Sequence, residues 1–140
     1  MKIEEMMKHL SIADIRELHG RLAQTRIRLL DEIQAAEADI RTAHEAREGE
    51  GGIGSDVSEI TRFEELRRAE IAIDEEQLRS IEAAEARMGE GRYGICVNCG
   101  EPIVRERLLA MPAAVRCADC ENRQAASSAG DGGERLGTGR

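Results

Sequence analysis

The chain has 140 residues and a formal net charge of -8, with 34% charged residues, one Phe, one Tyr and no Trp. So few aromatic side chains exclude a broad aromatic core, and the charged content favours long helices. The negative charge weighs against duplex DNA or an anionic membrane as the main partner, because binding phosphates requires a basic face. The sequence contains no apolar run of membrane-spanning length, and its first residues, MKIEEMMKHL, lack the apolar core of a secretory signal. We therefore expect a cytoplasmic protein.

A long amphipathic helix is predicted after a short N-terminal lead at residues 1–10. Ser11 and Asp14 form a variant capping box at its start. Only Gly20 then interrupts the helical pattern before about residue 48. The apolar stripe recurs mostly every three, four or seven residues. Its members are Ile15, Leu18, Leu22, Leu29, Ile33, Ala36, Ile40 and Ala43.

A second helix is predicted after a glycine-rich tip loop at about 49–55, with Asp56 or its neighbour Ser55 as the cap. Gly89 and Gly91 end this helix. Its stripe consists of Val57, Ile60, Phe63, Ile71, Leu78, Ile81, Ala84 and Met88. Two stripes joined by a short turn predict a mainly α fold, an antiparallel two-helix coiled-coil hairpin over 11–91. The turn favours a monomer, although a swapped dimer would use the same contacts.

The chain's four cysteines form two Cys-x2-Cys pairs, Cys96 with Cys99 and Cys117 with Cys120. This spacing predicts one structural Zn²⁺, held by two thiolates from each pair. The alternatives are two disulfides, a redox pair or an iron–sulfur cluster. The three histidines lie far upstream, so we expect four thiolate ligands and no open position for catalysis.

The small zinc-finger module is predicted over 92–126, including a short C-terminal helix. The Gly/Ser-rich tail at 127–140 is predicted to be disordered. The sequence contains no Ser/His/Asp arrangement, phosphate loop or His-Glu metal motif. We therefore expect no enzymatic activity.

The predicted tip of the hairpin is acidic. Every charged residue between Arg47 and Arg62 carries a carboxylate: Glu48, Glu50, Asp56 and Glu59. Helix capping alone would explain carboxylates at a helix N-terminus. A functional interpretation, compatible with capping, is that the hairpin presents these carboxylates to a cationic or metal-bearing site of a partner.

Residues 93–103 read Tyr-Gly-Ile-Cys-Val-Asn-Cys-Gly-Glu-Pro-Ile, and Arg-Leu-Leu-Ala-Met-Pro and Arg-Cys-Ala-Asp-Cys follow at 107–112 and 116–120. This stretch resembles the DksA/TraR family of four-cysteine zinc-finger proteins, whose architecture the predicted hairpin shares. The resemblance implies a bacterial transcription regulator that binds RNA polymerase and not DNA. In that family the coiled-coil tip enters the polymerase secondary channel, and initiation changes, often together with ppGpp.

The tip departs from the family pattern Asp-x-x-Asp-x-Ala. Counting back from the cysteines without a gap places Ile53, Asp56 and Ser58 on its three positions. A shift by three residues places Asp56, Glu59 and Thr61 there and retains both acids. The resemblance therefore implies that Asp56 and Glu59 contact the polymerase active-site region, with a weaker, altered or ppGpp-independent effect.

Two other classes of function fit the same features. An adaptor would dock another protein through its coiled-coil surface and use zinc only for folding. A zinc-ribbon nucleic-acid binder would bind DNA in a salt-sensitive manner, and the net charge weighs against it.

Overall fold

The computed structural model describes the backbone of residues 8–49 and 55–137 and the side chains of residues 8–49 and 57–127. This part of the chain forms four helices: α1 (Ile12–Gly49), α2 (Ser55–Gly89), α3 (Arg105–Ala110) and α4 (Ala118–Gly137). An isolated antiparallel bridge joins Ile95 to Pro102. The predicted mainly helical fold with a long hairpin is confirmed. Among the described helices, none combines the length and apolarity that crossing a membrane requires.

The ends of the long helices follow from local hydrogen bonding. The Ser11 amide donates to Asp14 Oδ2 at 3.1 Å, and the Asp14 amide donates to Ser11 Oγ at 3.0 Å. This reciprocal pair is the predicted capping box. At the end of α2, the Arg92 amide donates to the Arg87 carbonyl at 2.9 Å, and Gly91 has a φ of 79°. This Schellman-type end requires a left-handed residue, which explains the glycine.

Residues 23–82 form one compact unit, in which the later part of α1 packs against the first part of α2. Its buried apolar side chains are Leu29, Ile33, Ala36 and Ile81. The expected place of Phe63 in the seam is wrong, because Phe63 is 40% exposed and Glu64 is only 2% exposed. On α2, residue 64 instead points inward, because Arg47 of α1 pairs with the Glu64 carboxylate there.

The other compact unit combines the chain up to Leu22 with the chain from Ala83 onward. Its buried apolar side chains are Leu10, Leu18, Leu22, Ala84, Tyr93, Cys96, Ile103, Leu108 and Cys120. Tyr93 is 1% exposed, and its hydroxyl donates to the Pro112 carbonyl at 2.9 Å. The single Tyr thus anchors the cysteine-bearing segment.

Helix α4 continues to Gly137, whereas the sequence predicted disorder from residue 127. The described side chains at 121–127 are all exposed. This stretch is therefore helical although none of its described side chains is buried. Residues 138–140 of the predicted tail lie outside the described residues, and the domain boundaries stay a prediction.

Cationic side chains hold the cysteine-bearing segment by its main-chain carbonyls. Arg21 Nη1 donates to the Leu109 carbonyl at 2.7 Å, and Arg87 Nη2 donates to the Ile95 carbonyl at 2.8 Å. Such charge-assisted bonds are stronger than neutral ones. Gly94, at φ +84°, lies where an added Cβ would come 3.1 Å from Leu10 Cδ1. A side chain at this position would therefore be strained by the positive φ and would crowd Leu10.

Candidate metal centre

The first cysteine pair lies on a tight loop closed by main-chain hydrogen bonds. The Cys96 amide donates to the Glu101 carbonyl at 2.8 Å, and the Gly100 amide donates to the Cys96 carbonyl at 3.0 Å. Gly100 has a φ of 78°, a conformation that glycine adopts at low cost. The amides of Asn98 and Cys99 lie 3.4 and 3.5 Å from Cys96 Sγ. The loop therefore directs N–H groups at a thiolate.

The second pair lies at the start of α4. Cys117 precedes the helix and Cys120 occupies its first turn. The Cys120 amide donates to Cys117 Sγ at 3.4 Å. A hydrogen bond of 2.8 Å from the Val97 amide to the Val115 carbonyl joins the two cysteine-bearing loops. This bond holds the two loops side by side, so that the two pairs of thiols face one another.

The four Sγ atoms of Cys96, Cys99, Cys117 and Cys120 all lie within 4.8 Å of one another. Cys99 Sγ and Cys117 Sγ are 3.9 Å apart. Zinc bound tetrahedrally at about 2.3 Å from each sulfur would place its ligands about 3.8 Å apart. All four cysteines are free, which argues against the two-disulfide alternative. The cluster thus fits one zinc ion held by four thiolates.

Without a cation, the four thiols would resist ionising together. Burial opposes ionisation of Cys96, but backbone N–H groups, including those of Cys99 and Asn98, lower the pKa of its thiol to about 6. Burial and the neighbouring thiols raise the pKa of Cys120 to about 12. A bound metal ion reverses this penalty, because coordinating thiols are deprotonated. Binding of the metal is therefore linked to loss of protons from the least acidic thiol.

The cluster has the composition of a structural site. Cys96 and Cys120 are buried, Cys117 is half-buried and Cys99 is exposed. Four thiolates fill the four positions of tetrahedral zinc and leave none for water or substrate. When bound, the metal supplies cross-linking of two loops that bury too little apolar area to hold together alone.

One contact to the cluster escaped the sequence analysis. Arg123 Nη2 of α4 donates to Cys120 Sγ at 3.5 Å. The spacing of three residues along a predicted helix is the signal that indicates such a pair, since side chains one turn apart face each other.

The proposed tip residues are described only in part. Asp56 lies in the first turn of α2 by its backbone, and its side chain lies outside the described residues. Glu59 is exposed on the same helix. Of the predicted tip loop at 49–55, residues 50–54 also lie outside the described part. The role of Asp56 and Glu59 stays a prediction.

The helical hairpin and the four-thiol cluster define a class of protein, a helical-hairpin protein with a structural four-cysteine zinc finger. Residues 91–124 match the prokaryotic dksA/traR C4-type zinc finger family. The chain thus carries a DksA/TraR-family zinc finger, and the sequence resemblance is confirmed.

Two further comparisons found similar proteins. The structure of transcription factor DksA2 from Pseudomonas aeruginosa aligns with a TM-score of 0.73 at 21% identity and covers 91% of this chain and 98% of that chain. At this identity the likeness shows a shared fold. An uncharacterized protein of Aquifex aeolicus (strain VF5) is 38% identical over 65 residues, which are 46% of this chain and 45% of that protein. This chain therefore aligns with less than half the length of that relative.

Proposed function

We propose that the protein is a transcription regulator that binds bacterial RNA polymerase in the cytoplasm. The hairpin inserts into the polymerase secondary channel and modulates initiation, with ppGpp as a candidate co-regulator. The observation that carries this proposal is the dksA/traR-type finger at 91–124 in a chain that shares the DksA2 fold. The protein acts by binding, as a monomer and without an enzymatic step.

In this proposal the residues have separate roles. Cys96, Cys99, Cys117 and Cys120 bind one structural zinc ion, for which their mutual distances are suited. Asp56 and Glu59 act at the hairpin tip, and the exposure of Glu59 leaves its carboxylate available to a partner.

The charge on the hairpin supports a protein partner over a nucleic acid. Four carboxylates and one guanidinium line a groove between α1 and α2, formed by Glu32, Ala35, Ala36, Asp39, Arg67, Glu70 and Asp74. Burial, and then the nearby Glu32, raise the pKa of Asp74. Such a surface repels phosphates, and phosphate contacts dominate the affinity of DNA binders.

Transcription with purified components tests the proposal. RNA polymerase would be assayed on a ribosomal and an amino-acid-biosynthesis promoter, with and without ppGpp, using wild-type protein and an Asp56→Asn/Glu59→Gln variant. The matched control is Glu65→Gln/Glu75→Gln, which removes two exposed charges from the same helix. We expect the tip variant to lose the change in transcript level that the wild type and the control both produce.

Binding to polymerase would be measured by co-sedimentation in parallel. Absence of both binding and a transcriptional effect would overturn the proposal.

A second candidate is an adaptor that docks another protein through its hairpin. Exposed apolar side chains on the hairpin favour this function. Ile27, Leu66 and Ile73 are 55%, 59% and 59% exposed. The adaptor function predicts that substitutions at these three positions abolish partner binding while the tip variant is silent.

A further inference from the structure

The two cysteine pairs obtain hydrogen bonds to sulfur in different ways. In the first pair, main-chain amides supply them. Cys96 Sγ accepts from Asn98 and Cys99, and Cys99 Sγ accepts from the amide of Glu101. The amide of Glu101 is available because the chain turns at Gly100 instead of entering a helix. Each sulfur of this pair thus accepts from main-chain amides of the loop that carries it, and Cys96 accepts in addition from the Cys117 amide.

In the second pair, the helix removes the equivalent donor. Cys117 Sγ accepts from the Cys120 amide at 3.4 Å. Residue 122 corresponds to residue 101 of the first pair, two positions after the second cysteine. Because α4 begins at Ala118, the amides from Asn122 onward donate to carbonyls four residues back. The backbone therefore cannot offer Cys120 Sγ the bond that Cys99 Sγ receives.

We propose that Arg123 is a positioning residue for the zinc ion, supplying the hydrogen bond to Cys120 that the helical backbone withholds. Its Nη2 lies 3.5 Å from Cys120 Sγ and is the cationic donor among the described hydrogen bonds to the four thiols. Four thiolates around Zn²⁺ leave a net negative charge, which the guanidinium partly offsets. Charge-assisted hydrogen bonds are roughly twice as strong as neutral ones, so Arg123 stabilises Cys120 as a thiolate ligand.

Arg123 lies on the side of the thiol cluster that is open to solvent. An open groove of about 410 Å³ runs beside the cluster and is lined by Asn98, Cys99, Cys120, Arg123, Gln124 and Ser127. Solvent or a chelator approaching along this groove meets Cys99, which is exposed, and the guanidinium next to Cys120. Arg123 therefore slows release of the metal on the side of the cluster that is open.

The test is the rate at which the zinc-loaded full chain loses its metal to an excess of chromogenic chelator at one fixed neutral pH. Arg123→Met removes both charge and donor, Arg123→Gln keeps a neutral donor, and Arg123→Lys keeps a cation. Gln124→Met is the control, because Gln124 lines the same groove without a described bond to a thiol. Loss of a residue that hydrogen-bonds a metal ligand typically weakens metal binding about 10- to 100-fold.

We expect Arg123→Met to release zinc about 10-fold faster than the wild type, Arg123→Gln and Arg123→Lys to be intermediate, and Gln124→Met to match the wild type. Release from Arg123→Met at the wild-type rate would overturn the proposal. A faster rate shared by Gln124→Met would also overturn it, because the groove and not the guanidinium would then control release.

A second measurement separates the hydrogen bond from a folding defect. In the Co²⁺-substituted protein, the thiolate-to-cobalt charge-transfer band reports the electron density on sulfur. We expect this band to shift in Arg123→Met and Arg123→Gln at unchanged far-ultraviolet helix signal, and to stay in place in Gln124→Met. A band that stays in place in both Arg123→Met and Arg123→Gln would contradict the proposal, whether or not α4 keeps its full helix signal. Neither measurement involves polymerase, so the outcome is independent of the proposed function.

Discussion

Arg47 and Glu64 form a buried ion pair between the two long helices, with Arg47 Nη1 2.6 Å from Glu64 Oε1. The side chain of Glu64 is 3% exposed and that of Arg47 is 26% exposed. Arg68 Nη1 lies 3.9 Å from the same Glu64 Oε1 atom, and its side chain is 60% exposed. Glu64 Oε2 has no hydrogen-bond partner among the described side chains. The two partners are thus unequal, because only Arg47 can turn its charge toward water.

This inequality predicts different costs for losing either partner. Arg47→Leu leaves a buried carboxylate with Arg68 as its remaining cation among the described residues. We expect this variant to lower the free energy of unfolding by about 3 kcal/mol. Glu64→Leu leaves an arginine that can reach solvent, and we expect a loss below about 1 kcal/mol. Urea unfolding of the zinc-loaded variants measures both values. The double variant is the control, and we expect it to be near neutral; equal costs for the two single variants would contradict this account.

Tyr93 is the chain's only tyrosine, so its ionisation can be followed directly by near-ultraviolet absorbance. Burial raises the pKa of Tyr93 to about 12, against about 10 in an unfolded chain. The folded state thus holds the proton more tightly. Its contribution to stability is present below pH about 10 and is lost as the pH rises through about 12. We expect a native titration midpoint near 12 that falls to about 10 in denaturant; a midpoint of about 10 without denaturant would contradict the buried position.

The pKa of Asp14 is shifted in the opposite direction, below its ordinary value. Hydrogen bonds from Arg105, whose Nε and Nη2 both lie 3.0 Å from its carboxylate oxygens, and from the Ser11 amide lower its pKa to about 2. The unfolded value is about 3.9, so this contribution is present above about pH 4 and is lost as the pH falls through about 2.

The difference in unfolding free energy between the wild type and Asp14→Asn should therefore be constant from about pH 5 to pH 8. Urea titrations at several pH values measure this difference. The parallel variant Arg105→Gln removes the cation, and in it the pKa of Asp14 should rise. If the difference in unfolding free energy between the wild type and Asp14→Asn shrinks between pH 8 and pH 5, Asp14 titrates in that range, contrary to the structure.

Removing one cysteine tests the zinc site itself. We expect Cys117→Ser to lose stoichiometric zinc, since metal binding supplies the folding free energy of such a segment. Amide exchange should then accelerate at residues 95–103 and 117–121, while residues 29–40 keep their protection because their unit has its own core. Elemental analysis together with hydrogen exchange measures both effects. One zinc retained per chain would rule out a site made of these four thiolates.

The features that the sequence predicted correctly depend on neighbours along the chain. The capping box needs only Ser11 and Asp14, and the two Cys-x2-Cys loops need only their own turns. The stripe of α1 is equally regular, and Leu29 and Ile33 are buried as expected.

The position of Phe63, which the sequence predicted wrongly, depends on partners distant in the sequence. Hydropathy favours Phe63 for the seam, yet Glu64 lies there because Arg47 reaches it from the other helix. Phe63 remains at the surface with the Arg67 guanidinium 5.3 Å from its ring centroid. Hydropathy periodicity alone does not reveal an ion pair across two helices, because it scores each position without its partner.

Three of the hydrogen bonds that hold the finger end on main-chain carbonyls, those of Leu109, Ile95 and Ile103, which accept from Arg21, Arg87 and His9 Nε2. Carbonyls are the same whichever residue carries them. Outward side chains of the finger that make no anchoring contact can therefore vary among relatives without changing these three bonds, provided that the metal and the glycines keep the path of the backbone. Evolution can in this way give the finger surface new binding preferences without altering how it is anchored.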